Sequence, residues 1–414
     1  MPPSSSQLRI VLCVFLPFAG GYFLSYLFRS VNAIIAPDLT ADLSLSPADL
    51  GLLTAAYFLT FAAVQLPLGI ALDRYGPRRV QTCLLLVGAI GAAMFGYGTD
   101  LGSLVLARGL IGVGVAGGLM TSFKAIVMWF PAKRWPLVNG CFMATGGLGA
   151  LAATQPVELA LRVTDWRGVF FWLAGITVAA AIVILFVVPE KPASHGNSIR
   201  LREQMRSLGH IFRDPLFWCL APSTVAFLSC TMSIQGLWVG PWLADVAGLA
   251  RPDIAHQLFV LSACLTLGFV LTGVLADLLA RRGIGTFRSM VLGMIILMTA
   301  QALLVLQIQP TAYWVLALFG VSANVVALSY SMLSRHFPVE YAGRANTALN
   351  LIVFAGAFIA QYALGAIIGW WERTPHGGRP AVAYAVAFGV VFALQAATFA
   401  WLILRGRKLK LDQL

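Results

Sequence analysis

The chain has 414 residues, 59% of them hydrophobic and 11% charged, with a mean hydropathy of +0.84 and a net charge of +12. That balance excludes a water-soluble globular protein. The basic excess punctuates alternate loops and does not cluster on one polar domain, which excludes a nucleic-acid binder. A hydrocarbon core takes about 20 residues as one helix, so twelve spans need about 240 residues, close to the apolar content of the chain. The runs are too long and too uniformly apolar for barrel strands, so the expected class is an all-α membrane protein.

In chain order, the apolar runs predict spans near 9–35, 48–71, 80–99, 102–126, 136–158, 168–188, 216–242, 256–278, 287–308, 311–334, 345–370 and 380–404. With the amino terminus inside, 20 of the 28 Lys and Arg residues fall in cytoplasmic segments. Five (Arg162, Arg167, Arg251, Arg373, Arg379) fall outside, and three (Arg29, Arg108, Lys124) lie within spans. This asymmetry predicts both termini in the cytoplasm. The short loops point to a bacterial inner membrane. The first run reads as a retained helix, because Arg29 interrupts what would be a signal-peptide core. The six cysteines lack paired spacing and read as packing residues. Met290, Met294 and Met298 are spaced for a thioether path but read as packing. No metal site, cofactor motif or nucleophile–base pair is expected, so the chain is not read as an enzyme.

Two copies of one pattern divide the chain. Gly69-Ile-Ala-Leu-Asp73-Arg74-Tyr75-Gly76-Pro77-Arg78-Arg79 recurs in degraded form 204 residues later, as Gly273-Val-Leu-Ala-Asp277-Leu-Leu-Ala-Arg281-Arg282-Gly283. Phe130-Pro131 followed by Asn139 matches Phe337-Pro338 followed by Asn346, and Pro37 matches Pro241. The expected domains are a six-helix bundle over 1–188, a cytoplasmic linker over 189–215 and a second bundle over 216–414. Within the linker, Arg200–Arg213 reads either as an amphipathic helix on anionic headgroups or as a solvated tether.

The Asp73 turn resembles the loop between helices two and three of the major facilitator superfamily of transporters. The resemblance implies twelve transmembrane helices in two pseudo-symmetric bundles of parallel topology. It also implies gating roles for Asp73, Arg74 and Arg78, with Asp277 and Arg281 as the weaker partner gate. In chemical terms, Asp73 can pair with an arginine or accept from a helix amino terminus, an interaction able to form in one conformation and break in the other.

Arg29 carries the most weight. A charge within an apolar helix costs several kcal/mol unless it meets water or a partner. At about 100° per residue, Tyr22, Ser25, Tyr26, Arg29 and Asn32 share one face. That stripe reads as a cavity lining that attracts anions, the alternative being an arginine that snorkels to the headgroups. Gly21-Tyr22, Tyr26-Leu27, Arg29 and Pro37 resemble the first helix of the organophosphate:phosphate antiporters and related organic-anion symporters, in which this arginine helps bind the anion. Those antiporters place a second arginine in helix seven, where this chain has Ser233. One arginine suits a monocarboxylate or another weakly charged anion better than a phosphate dianion.

Arg108, in Arg108-Gly-Leu-Ile-Gly112-Val-Gly114, resembles the superfamily's helix-four motif and is assigned either to coupling or to structure. Lys124 reads as an inner relay for anions or a snorkelling anchor. Glu158 is the candidate proton carrier, the alternatives being a helix cap or a partner for Arg162. Gln235 and Trp238 in span seven, with Asn350 and Gln361 in span eleven, are candidate solute contacts; interfacial and interhelical packing explain the same residues.

The expected function is secondary active transport of a small organic anion by alternating access, as ion-coupled symport, with a proton as the expected coupling ion. The expected partners are the solute and membrane lipids, with no nucleic acid and no cofactor, and the protein is expected to be a monomer. Two alternatives remain: a proton-coupled exporter of drugs or metabolites, and a non-transporting solute sensor of the same fold.

Overall fold

The computed structural model describes residues 5–131, 134–190, 209–375, 378–409 and 411. Most of the predicted linker, including Lys191, Arg200, Arg202 and Arg206, lies outside the described residues, and so does the amphipathic helix expected there. The chain divides into two compact units, residues 1–44 with 56–199 and residues 45–55 with 200–414. Among the described residues all regular structure is helical, and eleven segments are long and apolar enough to cross a membrane.

The first unit contains α1 (Leu8–Ser30), α2 (Asn32–Leu43), most of α3 (Pro47–Tyr97), α4 (Leu101–Trp129), α5 (Trp135–Ala152), α6 (Gln155–Ala160) and α7 (Trp166–Val187). α3 is a continuous helical run of 51 residues only in name, because Gly76 breaks it with φ 77° and ψ 164°. Side chains are strained in that left-handed region, so glycine is required there, and Pro77 restarts the helix with its φ already set. The Asp-Arg-Tyr-Gly-Pro turn thus reverses the chain at its glycine.

The expected fifth span is also helical, but in two pieces, α5 and α6. Thr154 leaves helical geometry (φ −103°, ψ −111°), and Pro156 lies in the first turn of α6. Proline lacks the N–H that a continuous helix needs there, so the helix stops and begins again. This segment is not among the eleven candidate spans.

The second unit contains the start of α3 with α8 (Pro215–Asp245), α9 (Arg251–Arg281), α10 (Thr286–Val305), α11 (Tyr313–His336), α12 (Val339–Ile368) and α13 (Ala381–Lys408). α8 loosens into a π-turn over Ile234–Trp238, three residues before Pro241. A wider turn accommodates the donor that proline removes.

Each unit has its own apolar interior. In the first, Val14, Phe18 and Tyr22 of α1 meet Leu85, Ala125, Ile126, Phe142, Ala181 and Ile184 from α3, α4, α5 and α7. In the second, α8 packs against α12 and α13, and α9 against α11. Met290 and Met294 are fully buried in that interior, and Met298 is half-buried.

Candidate functional site

α1 places its polar stripe inside the first unit. The rings of Tyr22 and Tyr26 meet edge to face at 5.1 Å, and Tyr22 also stacks on Phe142 at 4.7 Å. The Tyr22 hydroxyl reaches the Met143 sulfur at 3.5 Å. α5 comes this close because it carries glycine at 146: a Cβ there would sit 3.0 Å from Tyr26 Cδ2 and 2.5 Å from Tyr22 Cε1. Real Cβ contacts do not reach the shorter distance, so the glycine fixes where both tyrosines lie.

One turn further along α1, the Arg29 guanidinium lies 4.6 Å from the Tyr26 ring centroid, 5.5 Å from Phe61 and 6.0 Å from Tyr57. Ring faces within about 6 Å attract a cation by about 0.5–2 kcal/mol each, which offsets part of the cost of a charge at this depth. The Tyr57 hydroxyl donates to the Ser25 carbonyl at 3.2 Å, and the Ser25 hydroxyl donates to the Val115 carbonyl at 3.3 Å. Tyr57 and Ser25 therefore tie α3, α1 and α4 together behind the arginine. Asn32 is buried. The sequence reading missed Tyr57 and Phe61. Their only signal is an aromatic pair at helical spacing in an apolar run, and packing residues show the same pattern.

Arg108 is 1% exposed. It donates to the Phe28 carbonyl at 3.0 Å, and its guanidinium lies 4.7 Å from the Phe95 ring and 5.1 Å from Phe170. These contacts join α4 to α1, α3 and α7. Glu158 is buried on the short α6.

The predicted gating residues are arranged differently from expectation. Asp73 does not pair with Arg78. Its carboxylate meets the Lys124 ammonium at 2.5 Å, while Arg78 and Arg79 turn to Glu190 at 3.9 and 2.5 Å. The reason is geometric, because Gly76 reverses the chain between Asp73 and Arg78, whereas the last turns of α4 come alongside. Arg74 lies 5.2 Å over the Tyr75 ring. Glu190 and the Lys124 pairing were invisible in sequence, since both partners are brought in from distant segments. Lys124 is therefore an ion-pair partner of the turn.

In the second unit, Asp277 and Arg281 pair at 3.1 Å within one turn of α9, both well exposed. Trp238 and Gln361 are brought together by packing: the Trp238 indole N–H donates to the Gln361 carbonyl at 3.2 Å, and both side chains are buried. Gln235 is half-buried in the π-turn of α8. Asn350 accepts a hydrogen bond from the Tyr330 hydroxyl at 3.3 Å, and Asn346 donates to the Ser334 hydroxyl at 2.8 Å. Tyr330 is thus a further polar group beside an expected one. Among the described residues, no group of His, Cys, Asp and Glu is placed to hold a metal ion.

Comparison with known proteins adds the following. Residues 18–361 match the family model of the Major Facilitator Superfamily. A probable sulfoacetate transporter of Cupriavidus necator is 25% identical over 47% of this chain and 44% of its own length. A hexuronate transporter of Escherichia coli K12 is 25% identical over 63% of this chain and 64% of its own. The aligned segment thus spans less than two thirds of either relative. A probable L-galactonate transporter of Escherichia coli K12 is 22% identical over 92% of this chain and 86% of its own. Among solved structures, a bacterial homologue of the human lysosomal transporter Spinster superposes with a TM-score of 0.77, at 18% identity and 97% coverage of both chains.

Proposed function

The chain belongs to the Major Facilitator Superfamily, and from that premise we propose that it is a secondary transporter of a small organic acid, with Arg29 meeting the acid's carboxylate. The observation that carries this reading is the Arg29 guanidinium held against Tyr26, Tyr57 and Phe61 within the first unit. Ring faces orient the guanidinium plane, and its N–H edge matches the two oxygens of a carboxylate. The relatives are named for sulfoacetate, hexuronate and galactonate, each a short polar skeleton bearing a carboxylate. A hydroxylated monocarboxylate is the substrate class this supports, with Tyr22, Tyr26 and Asn32 of the same unit supplying further polar contacts.

Energy comes from an ion gradient in this reading. Transport runs as uptake by alternating access, Glu158 carries the proton, and the Asp73–Lys124 pair latches the inner gate. Both termini face the cytoplasm on the positive-inside count.

The test is a thermal-shift panel on purified protein with galacturonate, galactonate, glucarate, sulfoacetate and the neutral alcohol galactitol, run on wild type and Arg29→Ala. An acid that stabilises the wild type alone, and is then taken up by proteoliposomes, supports the proposal. Equal stabilisation of both proteins by acids and galactitol rejects the role of Arg29.

A further inference from the structure

We propose that the tryptophan–arginine patch formed by the start of α8 and the end of α13 binds the headgroup of an anionic phospholipid. Trp218 and Trp401 are both exposed, at 47% and 40%. The Trp401 indole N–H donates to the Trp218 carbonyl at 2.9 Å, and the Trp218 indole N–H donates to the Phe212 carbonyl at 2.7 Å. Both indole donors are therefore satisfied by backbone, and the Trp218 ring packs against Phe212 and Phe217 while part of each indole stays exposed.

The Arg405 guanidinium lies 4.7 Å from the Trp401 ring centroid, with Arg407 and Lys408 in the same last turn of α13. Among the described residues these three cations make no ion pair. The nearest carboxylate in sequence to Trp218, Asp214, is engaged elsewhere. It accepts from the Leu216 and Phe217 N–H groups at 2.8 and 3.2 Å and from His336 at 3.0 Å. Leu404, beside Arg405, is 62% exposed and extends the apolar side of the patch.

Basic residues at a helix carboxyl end are favoured by the macrodipole alone. The macrodipole does not account for two backbone-locked exposed indoles with an arginine stacked over one of them. Tryptophan settles at the headgroup level of a bilayer, and a cation there meets lipid phosphate. A free phosphate would use the cations but not the indoles and Leu404, so the lipid is the occupant that uses the whole patch.

The experiment measures thermal stabilisation of the full chain in detergent by dioleoylphosphatidylglycerol, by dioleoylphosphatidylcholine and by inorganic phosphate. Wild type, Arg405→Gln, Arg405→Lys and, as a basic control in the first unit, Arg9→Gln are compared. Phosphatidylglycerol is expected to stabilise wild type and Arg9→Gln with equal apparent affinity, and Arg405→Gln about fivefold more weakly. Arg405→Lys is expected to fall between them, keeping the charge and losing the planar stack. The proposal is overturned if phosphatidylglycerol acts equally on all four proteins, or if phosphatidylcholine or inorganic phosphate stabilises as well. Should Arg405→Gln fail to fold, native mass spectrometry of the wild type decides, since retention of phosphatidylcholine equal to that of phosphatidylglycerol also rejects it.

Discussion

The Lys124 ammonium and the Asp73 carboxylate, 51 positions apart, meet at 2.5 Å where α4 passes the reversal at Gly76. Lys124 is 28% and Asp73 47% exposed, so the pair is worth about 0–1 kcal/mol and not the several kcal/mol of a buried one. A contact of that size opens within the thermal range, as a latch must. Asp73→Lys and Lys124→Asp are each expected to slow proteoliposome counterflow, and the double exchange to recover most of the rate. A double exchange as slow as the worse single variant would remove the pair from the gating mechanism.

Tyr57 gives Arg29 a ring face and separately anchors Ser25 through its hydroxyl. Tyr57→Phe keeps the first and loses the second, at a cost of about 1 kcal/mol in stability. Tyr57→Ala loses both, and acid affinity is expected to fall about fivefold further, in line with one cation–π contact. Calorimetric titration of the acid found in the thermal-shift panel separates the two. Identical affinities for Phe and Ala at this position would show that the ring does not act on Arg29.

Gly146 and Gly140 lie on the same helix and face different surroundings. A Cβ at 146 would press into Tyr22 and Tyr26, whereas one at 140 meets nothing within 4 Å. Gly146→Ala is expected to destabilise by about 1–3 kcal/mol and to weaken acid binding, and Gly140→Ala to be neutral or to stabilise by up to about 1 kcal/mol. Thermal melts of the two variants give the comparison directly, and equal effects would contradict the tyrosine placement.

Asp42 ends α2 and accepts from the Arg167 guanidinium and, at 3.3 Å, from the Trp166 indole N–H. The Arg167 hydrogen bond and charge hold its carboxyl below the usual carboxylate range. A depressed folded-state value means this group stabilises the fold above its unfolded pKa of about 4. The contribution disappears as the pH falls through the lower folded value. The difference in melting temperature between wild type and Asp42→Asn should therefore be constant near neutrality and close only below about pH 4. A gap that closes at pH 6 would point to another group.

Gln301 of α10 and Gln395 of α13 are fully buried, and among the described residues neither side-chain amide has a hydrogen-bond partner. Replacing such a group with an apolar one of similar shape removes its desolvation cost. Gln301→Leu and Gln395→Leu are expected to leave the melting temperature unchanged or raised, with transport intact. A loss of transport at unchanged stability would instead assign the amide a functional role.

Composition and periodicity determined a great deal about this protein. About 20 apolar residues per span, with backbone groups that lipid cannot satisfy, leave only helices, and the turn at Asp73 recurs in degraded form at Asp277. The stripe from Tyr22 to Arg29 was legible because side chains on one helix face follow from 3.6 residues per turn. Partner choice was not legible. Asp73 takes Lys124 and not Arg78, Arg29 is met by Tyr57 and Phe61, and Trp401 bonds to the carbonyl of Trp218, 183 residues away. Local periodicity says which way a side chain points, but only the packing of separate helices decides what stands opposite it. That packing is set by glycines such as Gly146 and by breaks at Gly76 and Pro156, whose consequences appear on other segments of the chain.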